Sequence, residues 1–231
     1  GLLLGLDDEL KFRLNTKSYP QIICEMAGLV WQRDPYVLEL TEASHRRRAE
    51  LEPRFSPGRP RIGLNTGCGA VFRTKQWTLD NWVELIRFLQ SRTETEILLL
   101  GGRAEAELNR AILSQTTGVI DTGTGNSLEE FFGIVDACDV VVTSDTLGMH
   151  VAIALRKWVV ALFGSTSAVE IDLYDHGEKV VTDFACSPCY RKTCDKTPMC
   201  MEQLRGTTVG EAVLRGLAQL GADSSTMRAT T

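Results

Sequence analysis

The stretch that decides the fold is VVVTSDTLGMHVAIALRKWVVALFG, residues 140–164. It opens with the apolar run Val140–Thr143 and closes with a second run, Trp158–Phe163, while a helical pattern begins between them at Thr146. Apolar runs of strand length on either side of one helix are typical of two parallel strands buried on both faces. The stretch therefore predicts an α/β fold with a parallel sheet.

The same alternation extends in both directions from this stretch, over residues 61–231. The further predicted strands are Arg61–Asn65, Glu96–Leu100, Val119–Asp121 and a sixth over Lys179–Thr182. Two further helices are predicted at Leu79–Ser91, with Thr78 as its cap, and at Ala104–Thr116. A third opens with a Ser127–Glu130 capping box and runs to about Ala137, and a C-terminal helix opens with a Thr208–Glu211 capping box. This order predicts one Rossmann-like, doubly wound domain.

Residues 1–60 lack this rhythm. They contain a predicted helix at Tyr19–Leu29, and Pro35, Pro53, Pro57 and Pro60 then interrupt the chain as in a linker. We interpret residues 1–60 as the end of an N-terminal domain and an interdomain linker, and we expect the rest of that domain to be absent.

Composition excludes several classes of protein. Of the 231 residues 43% are hydrophobic and 24% charged, which is ordinary for a globular protein with a substantial core. The net charge is −5 and the one basic run, Arg46–Arg48, is interpreted as a solvated helix face, so no nucleic-acid partner is expected. No apolar stretch is long enough to span a membrane, and Gly1–Leu6 lacks the features of a signal peptide. We expect a cytoplasmic protein.

Two Gly-rich loops follow predicted strands, at the edge where doubly wound sheets bind ligands. In Thr66–Trp77, small residues would let a phosphate approach the backbone, and Arg73 or Lys75 would neutralise it. The second loop is Asp121–Asn126. Each loop is equally compatible with a plain connection between strand and helix.

A third loop, Ser144–Ala152, follows the buried strand quoted above. Asp145 is expected as the cap or first-turn acid of the next helix, and Gly148 would let a ligand touch the backbone. His150 follows Thr146 by one helical turn on the same face. The alternative is that Asp145 only caps the helix and His150 is a packed core residue.

In this order and spacing the motifs resemble glycosyltransferase family 9, the lipopolysaccharide heptosyltransferases. The resemblance covers nearly the whole chain and is most specific from Asp145 to Gly164. Its other parts are Lys75–Trp77, Leu99–Gly102, Ala161–Thr166 and the cysteine-rich region that ends at Cys200 and Met201. It implies a GT-B enzyme, of which this chain supplies the C-terminal half that holds the nucleotide sugar.

The resemblance also implies a donor site for an ADP-heptose-like sugar. Thr66 and Gly67 would line the diphosphate, and Lys75 would pair with it. Glu105 would hold the ribose hydroxyls, unless the loop register places Glu107 there instead. The other implied contacts are Asn126 beside the adenine and Asp145, Thr146, Gly148 and His150 around phosphate and sugar.

The implied reaction is transfer of heptose, or a related sugar, from the ADP-sugar to a lipopolysaccharide core acceptor. In the family the N-terminal domain largely binds the acceptor and supplies a carboxylate base, and catalysis requires no metal or other cofactor. We therefore assign no general base in this chain and expect donor binding without turnover. Peripheral contact with the inner membrane is also expected.

Two other functions remain open. A GT-B nucleotide-sugar epimerase would need further acids and a histidine in the cleft, and the three histidines, His45, His150 and His176, offer no such set. A non-catalytic nucleotide-binding module is disfavoured because Lys75, Asp145 and the residues around them are intact.

Four of the seven cysteines, Cys186, Cys189, Cys194 and Cys200, form a cluster. A C-x2-C pair followed by two further thiols is compatible with structural zinc, although the second pair is more widely spaced than in common zinc ribbons. Reduced free thiols are the alternative, and disulfides are disfavoured in the cytoplasm.

Overall fold

A computed structural model describes residues 6–69 and 71–229, so that Ala70 in the first Gly-rich loop lies outside the described residues. Its centre is a six-stranded, entirely parallel sheet in the order β3-β2-β1-β4-β5-β6. The strands are β1 (Arg61–Asn65), β2 (Glu96–Leu100), β3 (Val119–Asp121), β4 (Val140–Ser144), β5 (Trp158–Phe163) and β6 (Gly177–Val181). The predicted α/β fold and doubly wound sheet are confirmed, and the last strand begins two residues earlier than predicted.

The helices are α1 (Tyr19–Met26), α2 (Glu42–Leu51), α3 (Leu79–Arg92), α4 (Ala106–Gln115), α5 (Leu128–Asp136), α6 (Leu147–Ala154), α7 (Cys200–Gln203) and α8 (Gly206–Ala229). The predicted helices occur in the predicted order, together with two short helices, α2 and α7, whose bounds the sequence did not predict. Short 3-10 turns precede α3 and α4, at Arg73–Lys75 and Arg103–Glu105. Both turns lie where a strand leads into a helix, at the edge of the sheet that holds the ligand loops.

The sheet lies between two apolar layers. Every residue of β4 is buried, and its neighbours in register are β1 on one side and β5 on the other. One layer contains Trp77 and Trp82, whose rings meet edge to face at 4.7 Å, and the other contains Met149 and Phe163. Burial on both faces explains why the central strands are continuous apolar runs in the sequence.

The helix caps agree only in part with the sequence. The Thr78 hydroxyl caps α3, and the predicted Ser127–Glu130 capping box opens α5. The predicted Thr208–Glu211 box is wrong, because α8 begins at Gly206. Its first backbone N–H donates instead to the Glu84 carboxylate of α3, at 2.7 Å. The Glu84 carboxylate of α3 thus caps the start of α8, in place of a residue next to it in sequence.

Helix α2 packs closely against α5. A Cβ on Gly133 of α5 would lie 2.1 Å from the Ser44 carbonyl oxygen, and the Ser44 hydroxyl donates to the Glu129 carbonyl at 2.8 Å. Leu51 at the end of α2 belongs to the apolar layer beneath the sheet. Of the arginine run predicted to form a solvated helix face, Arg46 and Arg48 are exposed, whereas Arg47 is only partly exposed and donates to the Thr122 carbonyl oxygen at 2.8 Å.

No helix within the described residues combines the length and apolarity needed to cross a membrane.

Candidate functional site

A cleft of about 540 Å³ opens at the carboxyl ends of the strands. It lies where β1 and β4 are neighbours and the chain runs outward to either side, the point at which doubly wound folds bind ligands. Eighteen of the described residues line it: Asn65, Gly67, Cys68, Gly69, Lys75, Gly101, Gly102, Arg103, Ala104, Glu105, Asn126, Ser127, Leu128, Phe131, Asp145, Thr146, Leu147 and Gly148. The structure thus brings together seven of the nine predicted donor contacts, the exceptions being Thr66 and His150.

An ion pair between Lys75 and Asp145 crosses the cleft. The lysine Nζ lies 2.9 Å from the carboxylate and 3.0 Å from the carbonyl oxygen of the same aspartate. Both side chains are less than one-fifth exposed. The sequence had suggested that Asp145 is a helix cap or a first-turn acid. That prediction is wrong, because Thr146 is the cap residue of the next helix and the Asp145 carboxylate pairs with Lys75 instead.

The 3-10 turn Arg73–Lys75 is fixed from below by its middle residue. The buried Thr74 hydroxyl donates to the Arg191 carbonyl oxygen at 2.6 Å and lies 3.0 Å from the Ser165 hydroxyl. Phe72 adds a cation–π contact, with its ring centre 5.2 Å from the Lys75 ammonium. These contacts hold a flexible side chain in one place before any ligand arrives.

Helix α6 begins at the floor of the cleft with no side-chain cap. Its cap residue, Thr146, is held through the Asn65 amide, which donates to the Thr146 and Thr143 hydroxyls at 3.1 and 2.9 Å. A Cβ on Gly148 would meet that amide at 2.4 Å, so any other residue there would have to displace it. The first N–H groups of α6 are thus available to an anion, together with the positive end of the helix dipole.

The loop after β2 forms the facing wall. The Glu105 carboxylate accepts from the Gly102 N–H at 2.9 Å and lies next to Gly67, at 3.6 Å from the position a Cβ would take there. Glu107 is exposed and does not line the cleft. Of the two carboxylates that the sequence left open, the structure places Glu105 in the cleft.

Thr66, one of the predicted contacts, does not point into the cleft. Its side chain is buried, and its hydroxyl lies 2.6 Å from the Asn109 side-chain oxygen and 3.0 Å from the Leu100 carbonyl oxygen. This hydroxyl ties β1 to β2 and α4, which leaves only the backbone of Thr66 near a ligand.

His150 lies one turn below the cleft. Its ring packs on Tyr36 with the centroids 5.8 Å apart. Burial lowers the pKa of His150, an effect that Asp145 opposes and Lys75 reinforces. His150 therefore lies close to the ion pair without forming the cleft wall, in surroundings that favour its neutral form.

The other end of the cleft is apolar. Asn126 donates to the Gly123 carbonyl at 2.8 Å and fixes the loop before α5, and Leu128 and Phe131 of that helix face the opening. Leu128 and Leu147, each the first residue of its helix, are 52% and 57% exposed. Our sequence reasoning missed these leucines. Their signal was an apolar residue directly after a helix cap, outside the helix's core-facing stripe.

The cysteine-rich region lies beside this cleft. All seven cysteines of the chain are described, and none forms a disulfide. Among the described residues, no three or more His, Cys, Asp or Glu side chains stand in an arrangement that could hold a metal ion. Structural zinc therefore stays a prediction.

A parallel doubly wound sheet with a charged, dipole-lined cleft at its switch point defines a Rossmann-like nucleotide-binding class of domain. The family model described as glycosyltransferase family 9 (heptosyltransferase) matches residues 17–200. The chain belongs to glycosyltransferase family 9.

Individual relatives agree with this family. The lipooligosaccharide heptosyltransferase 2 of Campylobacter jejuni is 29% identical over 165 residues, which are 68% of this chain and 51% of the relative. Among solved structures, the ADP-heptose LPS heptosyltransferase II of E. coli has a TM-score of 0.62 at 22% identity, covering 84% of this chain and 55% of that one. A family 9 glycosyl transferase from Veillonella parvula has a TM-score of 0.72 at 17% identity, covering 90% and 62%.

These structural likenesses concern the fold, and they agree with the predicted GT-B class. The chain spans about half the length of the curated relatives it matches.

Proposed function

We propose that this chain binds the ADP-sugar donor of a heptosyltransferase, and that the whole protein transfers heptose or a related sugar to a lipopolysaccharide core acceptor. The observation that carries the proposal is the Lys75–Asp145 pair beside the uncapped start of α6. Family membership supports it, as does the printed name of the E. coli neighbour, which includes ADP-heptose.

The charged end of the cleft suits a diphosphate. Lys75 supplies a full positive charge that is already oriented, and the N–H groups at Leu147 and Gly148 supply donors aligned with a helix dipole. Both interactions grow as the sugar leaves and negative charge collects on the diphosphate. They would therefore stabilise the transition state for departure of the nucleotide.

The opposite end suits a nucleoside. The Glu105 carboxylate is positioned for ribose hydroxyls, and Leu128 with Phe131 offers an apolar surface for a flat base. Asn126 keeps the adjoining loop in place, so that its backbone would lie along the edge of the base. We propose the same donor contacts as the sequence predicts, with Thr66 acting through its backbone and His150 from beneath the ion pair.

Our assignment of domains follows from the same proposal. Residues 61–231 form the donor-binding domain, and residues 1–60 are the end of the N-terminal domain and the linker. The linker is attached to the donor domain, since Arg33 bonds to both Asp172 and Asp175 and α2 packs on α5. The other domain would bind the acceptor and supply the general base. The reaction would take place in the cytoplasm, with the protein in peripheral contact with the inner membrane.

The test is a transfer assay that follows ADP release from ADP-heptose in the presence of a lipopolysaccharide core acceptor. The 231-residue chain alone is expected to release no ADP, whereas a fusion to the N-terminal half of a family 9 relative is expected to be active. Lys75→Ala in the fusion should abolish activity, and Lys17→Ala, which removes an exposed lysine outside the cleft, should not. A fusion that binds ADP-heptose but never transfers would favour a non-catalytic module, and change of the free sugar nucleotide without acceptor would favour an epimerase.

A further inference from the structure

Tyr190 lies in the connecting loop, which we define as residues 182–199 between β6 and α7. Its φ angle is 50°, in the left-handed region that bulky residues rarely adopt. A residue keeps such a backbone conformation only where the surrounding structure holds it there, and such residues cluster at functional sites. The contacts that hold Tyr190 are therefore of functional interest.

Hydrogen bonds fix both ends of Tyr190 against the segment that follows β5. Its N–H donates to the Ser165 carbonyl oxygen at 2.8 Å. Its hydroxyl donates to the Glu170 carboxylate and accepts from the Ser167 N–H at 3.2 Å. Burial, then the bond to Glu170 and to a lesser degree the Asp145 carboxylate, raise the pKa of Tyr190 by more than the Ser167 N–H lowers it. The phenol therefore keeps the proton that it donates.

The same contacts support the turn that carries Lys75. The Thr74 hydroxyl lies 3.0 Å from the Ser165 hydroxyl. It donates to the carbonyl oxygen of Arg191, the residue after Tyr190, at 2.6 Å. Thr74 therefore contacts one residue that is bonded to Tyr190 and one that follows it in the chain. A displacement of Tyr190 would reach Lys75 through its neighbour Thr74.

The ring of Tyr190 contacts a short helical segment near the start of the chain, Leu10–Leu14. Phe12 stacks on Tyr190, with the ring centroids 5.0 Å apart and the planes 13° from parallel. The Lys11 ammonium lies 4.4 Å from the centre of the Tyr190 ring, within the range of a cation–π contact. The Arg13 guanidinium donates to two carbonyl oxygens of the connecting loop, at 3.0 and 3.2 Å. Three successive side chains thus contact the loop that contains Tyr190.

We propose that Tyr190 is a positioning residue of the donor site, and that the segment Leu10–Leu14 is a latch that holds Tyr190 in place through Phe12. The proposal rests on the proposed function of the cleft at Lys75 as a diphosphate site. With the latch docked, the turn at Thr74 is supported and the lysine is oriented in advance, so that less freedom is lost on binding. With the latch released, Tyr190 loses its stacking partner and its strained backbone is free to relax. The affinity for a diphosphate should then fall.

The latch crosses the boundary between the two domains that we propose. Residues 10–14 fall in the part assigned to the N-terminal domain and linker, whereas Tyr190 and Lys75 fall in the donor-binding domain. A contact across this boundary would make donor affinity depend on how the N-terminal domain is placed. Because such coupling is reciprocal, donor binding would in turn favour the docked latch.

The first measurement is hydrogen exchange of the 231-residue chain, followed by mass spectrometry, which needs no nucleotide. The Lys75 and Gln76 amides are hydrogen-bonded within the turn, so exchange in a peptide over residues 73–77 reports opening of the turn. Phe12→Ala should speed this exchange by about 2-fold to 10-fold, the value of one aromatic pair. Phe12→Tyr, which keeps an aromatic ring for the stack, should not. The matched control is Tyr19→Ala, which removes an aromatic side chain that is 58% exposed.

The second measurement is calorimetric titration of the same variants with ADP. Phe12→Ala should weaken ADP binding by about 2-fold to 10-fold, while Phe12→Tyr and Tyr19→Ala should bind ADP like the parent chain. Faster exchange confined to residues 182–191, with residues 73–77 still protected and ADP affinity unchanged, would mean that Phe12 only fixes the loop and would overturn the proposal. A parent chain that binds no ADP would refute the proposed function instead, and faster exchange of residues 73–77 in Phe12→Ala would then still support the coupling of the latch to the turn.

Discussion

Gly148→Ala tests whether the start of α6 is built around the Asn65 amide. The new Cβ would lie 2.4 Å from Asn65 Nδ2, about 1 Å inside ordinary contact distance, and Asn65 is itself buried and bonded to two threonines. Overpacking of this kind costs about 1–3 kcal/mol, and loss of a hydrogen bond adds about 1 kcal/mol. Alanine regains at most about 1 kcal/mol through helix propensity.

We therefore expect Gly148→Ala to lower the free energy of unfolding by about 1–3 kcal/mol, measured by urea denaturation of parent and variant. The matched control is Gly221→Ala, a helical glycine in α8 with no atom within 4 Å of its added Cβ. That control should be neutral or slightly stabilising. If Gly148→Ala is as stable as Gly221→Ala, the close contact with Asn65 does not exist and the described start of α6 is wrong.

Three further predictions concern charge. Burial raises the pKa of Asp136, but the opposing effects of Lys157 and Arg48 are larger, so that the pKa is lowered overall. Asp136→Asn should therefore lower the free energy of unfolding by about 1.5–3 kcal/mol at neutral pH. The difference between variant and parent should disappear as the pH falls below about 3.9, where the carboxylate becomes protonated. The pKa of His150, lowered by burial, should rise when ADP binds, as followed by NMR, and an unchanged value at saturation would remove it from the donor site. Glu105→Gln should weaken ADP binding by about tenfold in calorimetry and Glu107→Gln should not; the reverse result would mean that the loop register is wrong.

The central strands could be predicted because they are buried on both faces. Burial of this kind leaves apolar runs, as in Val140–Thr143, that are visible without any knowledge of the neighbouring strands. The Thr78 cap and the Ser127–Glu130 box were predictable for a similar reason, since each joins residues three positions apart.

The features that were missed depend on partners distant in sequence. The cap of α8 comes from Glu84, 122 positions before Gly206, and no local pattern contains it. The role of Asp145 depends on Lys75, which lies 70 positions away. In the site, sequence reasoning found which loops meet but not which way each side chain turns, so that Thr66 was assigned to a ligand although its hydroxyl is used within the fold.

The most direct test of the donor-site account is calorimetric titration of this chain with ADP, UDP and ADP-heptose, in parallel with Lys75→Ala and the control Lys17→Ala. The account predicts that the adenine nucleotides bind in preference to UDP. It also predicts that Lys75→Ala weakens ADP binding by about 10-fold to 150-fold, as expected for one charge-assisted hydrogen bond, while Lys17→Ala leaves it unchanged. A preference for UDP, no binding of any of the three, or equal affinity in Lys75→Ala would contradict it.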